Sequence, residues 1–332
     1  MAEPLNILFT CIGRRVALVR AFRAAAKRLK ITLRVHGADS GRLAPAIFEA
    51  DVRHVVPSVT APDYIDALER IIVRRKIKLL IPLIDTELPA IAAARDRLAQ
   101  RGCSAMISDR NVIDICRDKL LTYQRLTEAG IPTPATWLWA DVVKRRSHRF
   151  PYFLKPRFGS AAMGNHVIDD VASLRFFGRR VPDAIVQEFI AGEEYTMDVY
   201  ADARGVPQCV VPRHRLEVRG GEVSKAVIAK KKDIMRVGAK VARALKGCRG
   251  VVTVQCIKTG AGDIRVLEIN PRFGGGIPLA IHAGADFPRW VLQEALGRKP
   301  KIDADGFRDD VVMLRYDDAV FVRNAAKLMA KR

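Results

Sequence analysis

The chain has 332 residues, of which 49% are hydrophobic and 28% are charged. This composition excludes a disordered chain, and the length predicts two or three domains. No run of about 18 or more apolar residues is present and the first residues lack a basic stretch, so we expect a cytoplasmic protein without a membrane span. The six cysteines form no C-x-x-C pair and are expected to be buried thiols rather than disulfides.

The formal charge is +21, from 57 Lys and Arg residues against 36 Asp and Glu residues. A positive field of this size concentrates anionic substrates such as phosphates and carboxylates, and it also binds nucleic acid without specificity. Zinc-ligand spacing and aromatic RNA-binding strands are both absent from the sequence, so we expect no specific nucleic-acid partner. Many of the charges are also compatible with an ordinary solvated surface.

Strands and helices alternate in the first third of the chain. Apolar runs predict strands at residues 6–10, 31–39, 54–59 and 78–85, separated by helical patterns that include residues 16–29 and 62–75. This order predicts a doubly wound α/β domain with a parallel sheet, over residues 1–112. Its first turn, CIGRRVA, has one glycine, so a dinucleotide site of the usual kind is unsupported.

The rest of the chain changes to an α+β pattern. A helix is predicted over 109–130, followed by a proline-stiffened linker, by strand pairs within 150–168 and 184–202, and by a basic strand near 223–232. A helix at 233–246 then precedes a hairpin over 250–270, whose turn contains TGAGD.

Polar residues interrupt the apolar strand VLEINPRFGGG, which ends this hairpin. Glu268 and Asn270 are two residues apart and therefore share one face of the strand, and Gln255 on the partner strand can lie across from Glu268. One carboxylate and two carboxamides are oxygen ligands that suit Mg²⁺. The alternative is an edge strand that carries chance polar residues on a solvated face, and the following Arg272 and three glycines weigh against it.

Two further segments carry chemistry that suits a nucleotide. Lys155 ends a strand and precedes a glycine-bearing turn, where its charge and nearby backbone N–H groups could bind phosphate, although a strand-end lysine is often only a surface residue. The turn is not a Walker A loop. Downstream, Glu188 or Glu194 could accept a hydrogen bond from a nucleotide amine or ribose hydroxyl.

The segment VPRHRLEVRGGEVSKAVI, residues 211–228, is a candidate for substrate specificity. Arg213, Arg215 and Arg219 could bind a substrate carboxylate. A solvated basic hairpin explains the same residues equally well.

Taken in order, Lys119, Lys155 with GSAAMG, VQEFIAGEE, Gln255 and EINPR resemble the ATP-grasp superfamily, in its carbamoyl-phosphate-synthase-like and biotin-carboxylase-like branch. The resemblance covers residues 113–298. It implies an N-terminal α/β domain over 1–112, followed by an ATP-grasp fold of two α+β subdomains: a phosphate-loop lid over 113–187 and a metal-binding subdomain over 188–332.

The resemblance also implies a role for each matching residue. Lys119 and Lys155 would contact the nucleotide phosphates, and the loop with Gly159, Ser160 and Gly164 would close over them. The remaining implied roles are adenine contact for Glu188, Phe189 and Ile190, ribose contact for Glu194, Mg²⁺ ligation for Gln255, Glu268 and Asn270, and transition-state stabilisation for Arg272.

These roles imply an ATP-dependent carboxylate–amine or carboxylate–thiol ligase that forms an acyl phosphate and uses ATP with Mg²⁺, or with Mn²⁺ as an alternative. A carbamate- or bicarbonate-phosphorylating enzyme and a non-catalytic ATP-binding regulatory protein are the competing interpretations. The chain is too short for a whole carbamoyl-phosphate synthase or biotin carboxylase. Its partners would be small-molecule substrates, and a homodimer is compatible with the resemblance because dimers are common in this branch.

Overall fold

The computed structural model describes residues 3–159 and 163–323, so the predicted loop residue Ser160 lies outside the described residues. The first sheet contains five parallel strands in the order β3-β2-β1-β4-β5, which confirms the doubly wound architecture. Its strands are β1 (Leu5–Thr10), β2 (Leu33–Asp39), β3 (Val52–Val55), β4 (Leu79–Pro82) and β5 (Ser104–Ala105). Its helices are α1 (Val16–Arg28), α2 (Tyr64–Arg75), α3 (Leu88–Ala93) and α4 (Arg95–Gln100).

The strand order of this sheet reverses between β1 and β4. Crossovers from these two strands run in opposite directions, which opens a crevice at their carboxyl ends, where doubly wound proteins bind ligands. Residues 11–15 follow β1 and residues 83–87 follow β4 at this place. The strand predicted over 78–85 ends earlier than expected because Asp85 begins a 3₁₀ turn, in which Glu87 accepts hydrogen bonds from the backbone of Leu83 and Ile84.

The single helix predicted over 109–130 is wrong, because two helices occupy the segment: α5 (Arg110–Arg117) and α6 (Lys119–Glu128). Asp118 between them has an extended backbone, and its carboxylate accepts hydrogen bonds from the N–H groups of Leu120 and Leu121. The residue thereby caps the second helix. Its carboxylate also forms an ion pair with Arg157. The pattern of apolar residues in this segment could not predict that long-range contact.

A four-stranded antiparallel sheet, here called the lid sheet, follows in the order β6-β9-β7-β8. Its elements are β6 (Thr136–Leu138), α7 (Trp139–Val142), β7 (Tyr152–Pro156), β8 (His166–Ile168), α8 (Val171–Gly178) and β9 (Ala184–Glu188). The lid sheet and its two helices enclose a small core of their own around Leu154, Ile168 and Leu174. The predicted boundaries at residues 112 and 187 stay predictions, although α5 and α6 share their core with the third sheet.

The third sheet is antiparallel and has the order β14-β13-β10-β11-β12-β15. Its strands are β10 (Glu193–Ala201), β11 (Pro207–Arg219), β12 (Glu222–Ile228), β13 (Gly250–Lys258), β14 (Ile264–Asn270) and β15 (Val312–Leu314). Helix α9 (Lys232–Ala244) covers one face of this sheet. Helices α10 (Ile277–Ala283) and α11 (Phe287–Ala295) follow the three glycines and pack toward the first domain.

The first domain and the third sheet share one hydrophobic core. Phe22 of α1 packs edge-on against Phe9 of its own sheet and against Phe273, with ring centroids 5.0 and 5.8 Å apart. The same cluster includes residues of β11, β12 and α11. Within residues 3–159 and 163–323, no helix is long and apolar enough to cross a lipid bilayer.

Candidate functional site

One face of the third sheet carries the predicted metal ligands. Gln255 of β13 lies directly opposite Glu268 of β14, and Thr253 lies opposite Asn270. The Asn270 amide donates to Glu268 Oε1 over 3.0 Å, so the two side chains share the face that their spacing predicts. Strand β14 is an edge strand, as the alternative interpretation held, but Asn270 is only 4% exposed. Asn270 is therefore buried, while Gln255 and Glu268 on the same face are partly exposed.

The polar row continues across the sheet to β11. Thr196 lies opposite Gln255, and Arg213 lies opposite Thr196. Arg213 donates from Nε and Nη2 to the two carboxylate oxygens of Asp198 over 2.6 and 3.1 Å, and both residues are fully buried. This bidentate pair neutralises the guanidinium inside the protein.

The other two arginines of the predicted substrate segment also face carboxylates. Arg215 Nε lies 3.3 Å from Glu194, the residue predicted to contact ribose. Burial lowers the pKa of Arg215, and the charge of Glu194 opposes that shift. Arg219 lies at the exposed tip of the β11–β12 hairpin and pairs with Glu217 over 2.8 Å. Arg219 thus lies apart at the end of β11, whereas Arg213 and Arg215 are close enough for their charges to interact.

The two lysines approach the metal face from the lid side. Lys155 of β7 is 5% exposed, and burial lowers its pKa to about 8, while the charge of Glu268 opposes the shift. Burial also lowers the pKa of Lys119, the first residue of α6, with Glu268 and Asp85 opposing. Lys119 Nζ donates to the backbone oxygen of Gly159 over 3.0 Å. Both ammonium groups therefore lie in the field of the same carboxylate, beside the predicted phosphate loop.

The segment predicted to contact adenine leaves β9 at its end. The Glu188 N–H donates to the backbone oxygen of Ala135 over 2.9 Å, so this amide is already engaged with the proline-rich linker. The Glu188 carboxylate accepts a longer bond from the Ala135 N–H, at 3.4 Å. Within the described part of the chain, no such bond engages the backbone of Phe189 or Ile190. These two residues retain the donors and acceptors that a base edge needs.

Arg272 connects the third sheet to the first domain. Its Nε and Nη2 donate to one oxygen of Asp85 over 3.0 and 2.7 Å. Asp85 follows β4 at the crevice of the doubly wound sheet, and its backbone oxygen accepts from Arg117. Sequence reasoning did not assign a role to Asp85, although its place after a buried parallel strand is the signal that marks such positions.

Arg15 was also missed. It follows β1 at the same crevice, and its Nη1 lies 3.1 Å from Glu222 of β12. Arg315 holds the other oxygen of Glu222 over 3.2 Å. The sequence signal was the pair of arginines in CIGRRVA, a turn considered only as a dinucleotide motif.

The donor set fits a magnesium ion that a nucleotide brings with it. Glu268 supplies one anionic oxygen, and Asn270 and Gln255 supply neutral ones. The described ranges contain no group of three or more His, Cys, Asp or Glu side chains that could hold a metal alone. Mg²⁺ commonly binds one or two carboxylates and takes its remaining ligands from water and substrate phosphates. This sparse oxygen set beside two lysines matches that pattern.

Two family models match the chain. An ATP-grasp domain model matches residues 116–276, and a PylC-like N-terminal domain model matches residues 7–107. The 3-methyl-D-ornithine–L-lysine ligase of Methanosarcina acetivorans is 26% identical over 179 residues, which cover 53% of this chain and 45% of that protein. The D-alanine–D-alanine ligase of Francisella tularensis is 24% identical over 47% of this chain and 57% of its own length. The chain therefore matches about half of the length of these relatives.

Solved structures show the same architecture over most of the chain. The biotin carboxylase domain of Hydrogenobacter thermophilus 2-oxoglutarate carboxylase, solved with MgADP and bicarbonate, has a TM-score of 0.74 at 16% identity, covering 94% of this chain and 74% of that one. L-amino acid ligase from Bacillus licheniformis has a TM-score of 0.69 at 20% identity, covering 89% and 75%. With an ATP-grasp domain over residues 116–276 and a PylC-like N-terminal domain over residues 7–107, the chain belongs to the ATP-grasp superfamily, and its fold is that of the biotin carboxylase structures.

Proposed function

We propose that the chain is an ATP-dependent ligase that joins a carboxylate to an amine through an acyl phosphate. The observation that carries this proposal is the convergence of Lys119 and Lys155 on the face that holds Glu268 and its two amide partners. The related methylornithine–lysine and D-alanine ligases support the reaction class. A thiol in place of the amine would use the same site.

The first step needs charge neutralisation rather than a protein nucleophile. An oxygen of the substrate carboxylate attacks the γ-phosphorus of ATP, the bond from that phosphorus to the β–γ bridging oxygen breaks, and ADP leaves with the electron pair. Lys119 and Lys155 place positive charge beside the phosphates. The attraction between these charges is stronger in a site shielded from water than in bulk solvent. Mg²⁺, or Mn²⁺, held by Glu268, Asn270 and Gln255, would supply further neutralisation of the phosphate oxygens.

The second step transfers the acyl group. The amine nitrogen attacks the carbonyl carbon of the acyl phosphate, and the bond from that carbon to the phosphate oxygen breaks. Inorganic phosphate leaves with the electron pair, and the amine gives a proton to solvent. We propose that Arg272, held in place by Asp85, stabilises the negative charge that develops on the carbonyl and phosphate oxygens.

Covalent catalysis by a cysteine is not part of this proposal. Burial raises the pKa of the thiols of Cys103, Cys209, Cys248 and Cys256 to about 12, and it raises the pKa of the Cys11 thiol further. Such thiols carry almost no thiolate at neutral pH. All six cysteines are free, as the sequence predicts, and five are buried.

The test is ADP release from Mg-ATP with the purified chain, in the presence of amino acids singly and in pairs, or of bicarbonate. We expect release to require a carboxylate and an amine together, with one amide product and one phosphate formed per ADP. Release with bicarbonate but with no amino acid would instead favour the carboxyl-phosphorylating alternative. ATP binding without turnover under every condition would favour the regulatory alternative.

A further inference from the structure

A second cationic cluster lies beside Arg272, at the crevice of the doubly wound sheet. Arg15 from the loop after β1 and Arg315 from the segment after β15 hold opposite oxygens of Glu222. The Arg15 side chain is 18% exposed and that of Glu222 is 42% exposed, so a small molecule can reach the pair. Three distant parts of the chain therefore meet here.

Positive charge exceeds negative charge in this cluster. In the part of the chain that the structure describes, Arg15 and Arg315 share the single carboxylate of Glu222, and Arg219 and Lys225 share that of Glu217, whereas Arg213 and Arg215 each pair with a separate carboxylate. Burial lowers the pKa of Arg15, and the nearby charges of Arg272 and Arg315 lower it further, against the opposing effect of Glu222. The surplus charge favours an added anion at this position.

The loop of three glycines fixes one wall of the cluster. A Cβ atom added at Gly275 would lie 2.6 Å from Arg15 Nη1 and 3.1 Å from Glu222 Oε1. The glycine therefore allows the backbone to approach the guanidinium closely. This loop directly follows Arg272, so the cluster lies next to the group to which we assign acyl-phosphate stabilisation.

We infer that Arg15, with Arg315, binds a free substrate carboxylate that is not itself activated, such as the α-carboxylate of an amino acid. This inference rests on the proposed ligase function and names a substrate class for the same site. A planar guanidinium accommodates a carboxylate in a bidentate manner, and the shared Glu222 leaves donors available on both arginines. This site differs from the predicted one at Arg213, Arg215 and Arg219, because Arg213 and Arg215 each pair with a separate carboxylate and Arg219 lies at the exposed tip of its hairpin.

The test compares free amino acids with their α-carboxamides as stimulators of ADP release. The carboxamide is placed on the amine donor, or on the activated substrate at a carboxylate other than the phosphorylated one, because a carboxamide at the phosphorylated position cannot form the acyl phosphate. The wild-type protein should prefer one free acid over its amide, and the arm that shows the preference identifies the source of the carboxylate. Arg15→Gln should raise the KM for that acid about 10- to 100-fold, because a charge-assisted hydrogen bond is lost, and should leave the Kd for Mg-ATP unchanged. Arg20→Gln, which removes an exposed arginine of α1 that pairs with Glu49 outside that helix, is the matched control and should change neither value.

Glu222→Gln separates binding from a purely structural contact. If the cluster binds a carboxylate, removing the competing Glu222 charge should leave the KM for the acid unchanged or lower. If the cluster only fastens the domains together, the KM should rise as it does in Arg15→Gln, and that result would overturn the inference. Equal use of acid and amide by the wild type, or a parallel loss of Mg-ATP affinity in Arg15→Gln, would also overturn it. Failure of every amino acid to stimulate ADP release would instead refute the proposed function.

Discussion

The predicted metal site contains one full negative charge. Glu268 is its only carboxylate, and it also lies close enough to Lys119 and Lys155 to affect their pKa values. Gln255, directly across the strand pair, has the shape of a glutamate without its charge. The affinity for Mg²⁺ therefore depends on one carboxylate. It should fall when that charge is removed and rise when a second carboxylate is added.

Glu268→Gln should reduce turnover by orders of magnitude, because three neutral ligands would remain for the metal. Nucleotide binding through the lysines and the lid sheet should largely persist, and the melting temperature should change little. ADP release measured against Mg²⁺ concentration checks the prediction. Wild-type kcat together with wild-type Mg²⁺ dependence would refute the metal-site assignment.

Gln255→Glu is the matched change in the opposite direction. It adds a second carboxylate opposite Glu268, so we expect half-maximal ADP release at a lower Mg²⁺ concentration than in the wild type. The same titration reports the result. An unchanged or higher Mg²⁺ requirement would place Gln255 outside the metal's ligand shell.

Lys155 gives nucleotide binding a pH dependence. Because the pKa of Lys155 is lowered to about 8, the ammonium form that attracts phosphate predominates below that pH and is lost as pH rises through it. Calorimetry should therefore show weaker Mg-ATP binding above about pH 8. Lys155→Ala should weaken binding mainly below that pH, without unfolding the protein. Lys155→Arg should make binding independent of pH over this range because arginine stays charged. A wild-type profile that matches Lys155→Arg would contradict the assignment.

Individual elements differ in how far the sequence predicts them. The β13–β14 hairpin was predicted with its partners correctly opposed, because a glycine-containing turn and a period of two residues are both local signals. The break at Asp118 was missed because apolar periodicity continues through it, and the decisive partner, Arg157, lies 39 residues away. Asp85 and Arg15 each follow a buried parallel strand, which is a sequence signal, but each meets its partner only after the domains pack.

Asp118 should show both of its structural roles on substitution. Asp118→Ala removes the cap of α6 and the ion pair with Arg157. We therefore expect the free energy of unfolding to fall by about 1–2 kcal/mol and the melting temperature to decrease. Asp118→Asn keeps a capping side chain and loses only the ion pair, and it should therefore cost less. Equal melting temperatures for the two variants would mean that the cap contributes nothing measurable.

The molecule as a whole places its excess charge in more than one region. A cleft of about 1030 Å³ beside β3 is lined by Arg53, Arg70, Arg74 and Arg75, none of which is among the candidate site residues. In residues 3–159 and 163–323, none of these four forms an ion pair with a carboxylate. The charge of +21 thus has a surface component beyond the candidate site.

The Arg272–Asp85 contact joins two domains at the site, and its loss should affect catalysis more than binding. Asp85→Asn leaves Arg272 without its charged partner, so the guanidinium is no longer held in one orientation. We expect kcat to fall about tenfold or more while the Kd for Mg-ATP stays near the wild-type value. Pre-steady-state ADP release and calorimetry on the same variant check both parts. A loss of ATP affinity with unchanged kcat would show that Asp85 acts on nucleotide binding instead.

The aromatic contacts of Phe22 with Phe9 and Phe273 limit the modularity of this protein. One hydrophobic core includes residues of α1, β11, β12 and α11, so the first hundred residues cannot be exchanged independently of the rest of the chain. A fragment that begins at residue 113 would expose Phe273, Phe287 and Trp290 to water and should aggregate. Chimeras that graft a relative's first domain onto this chain would need those aromatic partners exchanged together, whereas the lid sheet, with a core of its own, is the part that can be replaced alone.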